Sequence, residues 1–231
     1  MYVYGKNVAH ELIDTKQKIE KVYLYKNFND QSLVNEIKKL PVKIEWLDKK
    51  DLDHLCHENH QGIVLRVPEF SYCDSDEFTK KEDSLVVLLD HLEDPHNFGA
   101  IIRTCEAAGV DGIIIPKDRG VSVNPTVIKV STGAIFHTPI ARVTNLVQTM
   151  DRLKKEGFWI VGTDMEGTDY TEIDYKGKIV LVIGNEGKGM SSLVAKNCDF
   201  IASIPMRGTT NSLNASVAAG IMIYEAIKGR K

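Results

Sequence analysis

From residue 84 onward, short apolar runs alternate with segments of helical spacing. This alternation constrains the fold more than any other feature of the chain. The runs are "SLVVLLD" (84–90), "GIIIP" (112–116), "FWIVGTD" (158–164), "IVLVIG" (179–184) and "FIASIP" (200–205). "NFGAIIRTCEAAG" predicts a helix ending at Gly109, since glycine takes the left-handed terminating conformation without strain. Further helices are expected at about 144–156, 190–197 and 213–228. "SLVVLLD" is apolar on both faces, as expected of a strand covered by helices on each side. Strand–helix alternation of this kind implies an α/β fold with a parallel sheet and right-handed crossovers. In such sheets ligands bind beyond the carboxyl ends of the strands.

Ahead of this region the pattern is shorter. "NVAHELI" and "DQSLVNEIKKL" have helical spacing, and Asp30 or Ser32 can cap the second helix. "KVYLY" (21–25), "VKIEWL" (42–47) and "GIVLRV" (62–67) predict strands. Between the two regions, residues 69–83 ("EFSYCDSDEFTKKED") have no period and carry six acids and two lysines, which predicts a solvated linker. The expected organisation is a small α/β domain over 1–68, a linker over 69–83 and a larger domain over 84–231. Trp46 and Trp159 fall in strands and predict core positions.

Composition narrows the function. The 231 residues are 43% hydrophobic and 26% charged, which suits a soluble globular chain with a substantial core. No run approaches a membrane span, and no signal peptide is recognisable at the N-terminus. Four scattered cysteines without a CxxC pair predict reduced thiols and a cytoplasmic location. The net charge of −3 argues against indiscriminate coating of nucleic acid, without excluding a local basic face for a folded RNA.

Three loops at strand ends concentrate polar and small residues. "LVIGNEGKGM" (181–190) has three glycines, an acid and a lysine, but no hydroxyl follows Lys188, so it is not a P-loop. "DHLEDPHNFGAIIRTCEAAG" places Asn97 near a helix start and Arg103 six residues on; Arg103 and Glu106 are spaced to pair on the helix surface. "IPMRGTTNSLNASVAAGIMIYEAIKG" places Ser212 and Asn214 where a helix begins, and either can serve as its cap. Together they predict one polar pocket on a parallel sheet.

In this order, "DPHNFGAIIRTCEAAG", "STGA" (131–134), "LVIGNEGKGM" and "IPMRGTTNSLNASVAAGI" resemble the motifs of the SpoU (TrmH) family of RNA ribose 2'-O-methyltransferases, within the SPOUT superfamily. The front region, from "VYGKNVAHEL" to "HQGIVLRV", resembles that family's L30e-like RNA substrate-binding domain. The arrangement is similar to the RlmB-like branch, whose members methylate guanosine in 23S rRNA. The resemblance implies S-adenosylmethionine as methyl donor, no metal, a homodimer, and a deep trefoil knot over about 181–220. It implies cofactor contacts from Gly184, Ile204 and Leu213, with Thr163, Asn185, Gly187, Met206 and Asn214 as secondary contacts. It matches Arg103 to the catalytic arginine, with Asn97, Glu186, Ser212 and Asn214 as positioning groups. A guanidinium normally stays charged, so Arg103 is expected to fix a phosphate and polarise the ribose hydroxyl.

Rival readings are a tRNA methyltransferase of the same family, a non-catalytic RNA-binding protein with the same fold, and an ATP hydrolase. The intact motif positions weigh against the second, and the missing P-loop against the third. His54, His57 and His60 near Cys56 match no zinc spacing; a solvated helix end is the plainer reading, with RNA contact by His60 or Gln61 as the other.

Overall fold

A computed structural model describes residues 1–230. The chain divides into two compact units, residues 1–71 with 123–136, and residues 72–122 with the chain from 137 onward.

The first unit is built on a four-stranded mixed sheet. Its elements are β1 (Tyr2–Tyr4), α1 (Lys6–Asp14), β2 (Lys21–Tyr25), α2 (Gln31–Ile37), β3 (Lys43–Leu47), α3 (Lys49–Leu55) and β4 (Ile63–Arg66). The order is β1-β4-β2-β3, with β4 antiparallel to both neighbours and β2 parallel to β3. Asp30 caps α2 by accepting the Leu33 amide at 3.2 Å. Residues 123–136 add α5 (Pro125–Val130), which packs on β1 and α1. Lys129 lies 4.5 Å over the Tyr4 ring and donates to the Asn59 carbonyl at 3.0 Å.

His60 is buried in this unit. Its Nδ1 accepts the Gly62 amide at 3.0 Å, so the proton resides on Nε2, which donates to Asp53 at 2.9 Å. The Gln61 Oε1 accepts the Lys6 amide at 3.0 Å and so satisfies the start of α1. Both side chains therefore shape the turn before β4. Trp46, expected in the core, is 41% exposed because β3 is an edge strand.

The second unit is a six-stranded sheet with every pairing parallel. Its elements are β5 (Leu85–Leu89), α4 (Pro95–Ala108), β6 (Gly112–Pro116), β7 (Ile140–Val143), α6 (Leu146–Lys155), β8 (Trp159–Asp169), β9 (Ile179–Ile183), α7 (Ser192–Lys196), β10 (Phe200–Ser203) and α8 (Ala215–Ile227). The order β10-β8-β9-β5-β6-β7 puts β5 and β9 at the centre, and both are buried along their full length. Val86, Leu88, Val180 and Val182 share one core with Met150 and Leu153 of α6 and Val194 of α7. Helix α8 packs against α4 and β9. Gly109 ends α4 at φ 71, the left-handed cap expected there.

The stretch expected to be a solvated linker packs instead from Tyr72 onward. Phe78 is buried, and a β-carbon on Gly112 would lie 2.4 Å from its ring. Its burial anchors an otherwise acidic segment, and Thr79 and Ser84 are buried beside it. Trp159 is 54% exposed, its ring tilted against Phe200 of the edge strand β10 at 5.6 Å rather than inside the core.

Candidate functional site

A bulge within one strand and the ends of two others meet around a cleft of about 340 Å³ in the second unit. The first is a bulge in β8. Gly162 pairs with Ile201, but the next partner of β10 is Thr168, so residues 163–167 leave the ladder. Gly167 lets the chain return, since a β-carbon there would sit 2.5 Å from the Ile201 carbonyl oxygen. Thr163 stays anchored, donating its hydroxyl to the Val182 carbonyl at 3.0 Å.

The second is the glycine-rich loop after β9. Asn185 and Gly189 exchange two backbone hydrogen bonds of 2.9 Å, closing a tight hairpin. The Asn185 Oδ1 accepts the Gly187 amide at 3.0 Å and the Lys188 amide at 3.3 Å. A β-carbon on Gly184 would lie 2.4 Å from the Gly189 carbonyl carbon, so only glycine fits without moving the main chain. The third is the segment from Ile204 to Asn214, which enters α8. Asn214 caps that helix, accepting from the Ser216 amide at 2.9 Å and the Val217 amide at 3.4 Å.

Seven of the eight residues expected to contact a cofactor line the cleft: Gly184, Ile204, Leu213, Thr163, Asn185, Gly187 and Met206. Asn214 does not, because its side chain is turned to the first amides of α8. Glu186 and Ser212 line it too. Asn97 approaches from α4, donating its Nδ2 to the Glu186 Oε1 at 2.9 Å. It is held there by Asp94, which caps α4 through the His96 and Asn97 amides at 3.1 and 3.2 Å. The structure thus joins two sequence-distant motifs through one hydrogen bond.

Arg103 does not line the cleft of its own chain. It is exposed on α4, six residues from Asn97 and so about 9 Å further along the axis. It forms no ion pair among the described residues, so the expected pairing with Glu106 is not made. Among the lining residues not expected from the sequence are two charged ones, Asp164 and Lys188. Asp164 stood within a predicted strand, and only the bulge turns it toward the cleft.

The wall combines aliphatic groups (Ile183, Ile204, Leu213, Ala218), bare backbone, two carboxylates (Asp164, Glu186) and one ammonium (Lys188). That set suits a nucleoside bearing a positive group. It disfavours a polyphosphate, which would face the two acids. Among the described residues, no group of three His, Cys, Asp or Glu side chains is placed to hold a metal ion. No helix among them is long and apolar enough to cross a membrane.

Residues 84–224 match the SpoU rRNA methylase family, and residues 2–73 match the RNA 2'-O ribose methyltransferase substrate-binding family. A Staphylococcus aureus protein described as a TrmH family tRNA/rRNA methyltransferase is 44% identical, over 99% of this chain and 96% of its own. The fold is similar to that of AviRb, a SpoU methyltransferase of Streptomyces viridochromogenes in complex with AdoMet. The TM-score is 0.87 and the identity 28%, over all of this chain and 90% of that one. It is also similar to an AdoMet-bound rRNA methyltransferase of Sinorhizobium meliloti, with a TM-score of 0.80 and 28% identity over all of this chain and 87% of that one.

Proposed function

The chain belongs to the SpoU (TrmH) family of S-adenosylmethionine-dependent RNA methyltransferases, and from that premise we propose that it methylates the 2'-hydroxyl of a ribose in structured RNA. A guanosine of 23S rRNA is the substrate we favour. The observation that carries the reading is the Asn97–Glu186 hydrogen bond of 2.9 Å at a glycine-walled, acid-bearing cleft. Polar positioning groups from α4 and from the loop after β9 meet there beside the space for a nucleoside.

Gly184, Ile204 and Leu213 would hold the cofactor's nucleoside, with Thr163, Asn185, Gly187 and Met206 completing the wall. The two carboxylates favour the positive charge of a sulfonium. When bound, the cofactor supplies an electrophilic methyl on a good leaving group. The chain must then place a ribose hydroxyl in line with that methyl, and the hydroxyl's proton passes to water as its oxygen takes the methyl. Arg103 fixes the neighbouring phosphate and polarises the hydroxyl, because a guanidinium does not give up its proton in water. Asn97, Glu186, Ser212 and Asn214 orient the ribose and the arginine. Fixing reactants in this way lowers a barrier by several kcal/mol.

Residues 1–68 serve as the RNA substrate-binding domain, and residues 84–231 as the catalytic domain with its knot over about 181–220. The protein works in the cytoplasm as a homodimer through α4 and α8, without a metal. Arg103 stands away from its own cleft, on a helix assigned to the dimer contact. The S. meliloti likeness extends over both units of this chain, which supports an rRNA substrate. The S. aureus relative's description names tRNA as well as rRNA, so tRNA is the second reading. Mapping 2'-O-methyl marks in rRNA and tRNA from cells with and without this gene decides between them. One rRNA mark lost with the gene supports the first reading. A tRNA mark lost while rRNA is unchanged replaces it with the second.

A further inference from the structure

Two consecutive residues at the end of β5 hold both shoulders of the glycine-rich loop. Asp90 is only 1% exposed. One carboxylate oxygen accepts the Ser191 amide at 2.6 Å, and the other accepts the His91 Nδ1–H at 2.5 Å. The His91 carbonyl oxygen in turn accepts the Asn185 Nδ2 at 2.9 Å. The loop is therefore tied at its first residue by His91 and at its last by Asp90. Between the ties, Asn185 and Gly189 exchange two backbone bonds, and Glu186 in the hairpin they close accepts from Asn97.

The cost of this arrangement is visible. A buried carboxylate needs donors on both oxygens, and it has them. His91 sits at φ 55, where a side chain is disfavoured. Its imidazole occupies one oxygen of Asp90 and so turns the other onto Ser191. The loop tied in this way is the one that carries Glu186 and walls the cleft.

We propose that Asp90 and His91 are positioning residues for methyl transfer: they clamp residues 185–191 so that Glu186 meets Asn97 at the mouth of the cleft. This rests on the reading of the cleft as the transfer site. Neither residue touches the reacting atoms; both act through Glu186.

The test uses the full chain, with rRNA and S-adenosylmethionine at saturating concentrations, and compares single-turnover methyl transfer with thermal stability. Asp90→Ala removes the acceptor of the Ser191 amide and should slow transfer by about tenfold. Asp90→Asn keeps a carbonyl oxygen for that amide, and His91 can present its other tautomer to the new side chain. Transfer should therefore recover to within about threefold of the parent. A lowered melting temperature with the parent's rate would make Asp90 merely structural and overturn the proposal. Asp90→Asn as slow as Asp90→Ala would also overturn it, because charge rather than the clamp would then matter. If Asp90→Ala does not fold, His91→Gly carries the test, since glycine is at ease at this φ. It keeps the carbonyl and removes only the imidazole that orients Asp90. A rate down by about threefold supports the clamp, and the parent's rate overturns it. A parent protein that transfers no methyl group would instead sink the reading of the cleft itself.

Discussion

Gly184 tests the cleft at the scale of one residue. A methyl group there would collide with the Gly189 carbonyl carbon at 2.4 Å, and both partners are main chain. Gly184→Ala should weaken S-adenosylmethionine binding by roughly tenfold or more, ~1.4 kcal/mol, in a calorimetric titration. Unchanged affinity would mean that the loop is not the cofactor wall. Arg103→Ala should leave that affinity within about twofold while transfer falls by roughly a hundredfold. Equal transfer by the variant would remove Arg103 from its role. The glycines and Asn97 were legible in the sequence because small and amide residues stand out against apolar runs. Asp90 and His91 were not, since no spacing announces a bond to Ser191, 101 positions away. Trp46 and Trp159 misled because aromatic residues in strands suggest the core, whereas strand order decides which strands lie at or near an edge.

At the level of elements, the central strands were readable from unbroken apolar runs and most helices from apolar spacing, whereas α3 was not read. Strand β7 was harder to see, as Arg142 interrupts an already short run. Helix α5 was missed because its six residues are too few for a helical period, and its membership in the first unit is set by tertiary packing alone. That membership has a consequence. A fragment of residues 1–71 lacks α5, which covers Tyr4 and supplies buried Val127 and Ile128. Alone it should melt at a lower temperature, or without cooperativity, by circular dichroism. Joining residues 123–136 through a flexible linker should restore the transition. An identical melt for the fragment without them would show that α5 contributes no stability to the unit.

For the whole molecule, the parallel sheet places its cleft-lining loops beyond strand ends, where doubly wound sheets bind ligands. The net charge of −3 means that an RNA substrate must be recognised by local groups rather than by overall attraction. The proposed dimer gives a further test. Val217 and Tyr224 of α8 are 51% and 53% exposed in the single chain. Val217→Asp should shift the protein to monomers in light scattering and depress transfer; a dimer of unchanged size would place the interface elsewhere. The site of methylation admits the most direct measurement. The purified protein is given methyl-labelled S-adenosylmethionine and rRNA, and the product is hydrolysed in alkali. A methylated 2'-oxygen cannot attack its neighbouring phosphate, so the account predicts label in alkali-resistant dinucleotides. Label released in mononucleotides would show that a base is the acceptor and contradict the ribose assignment.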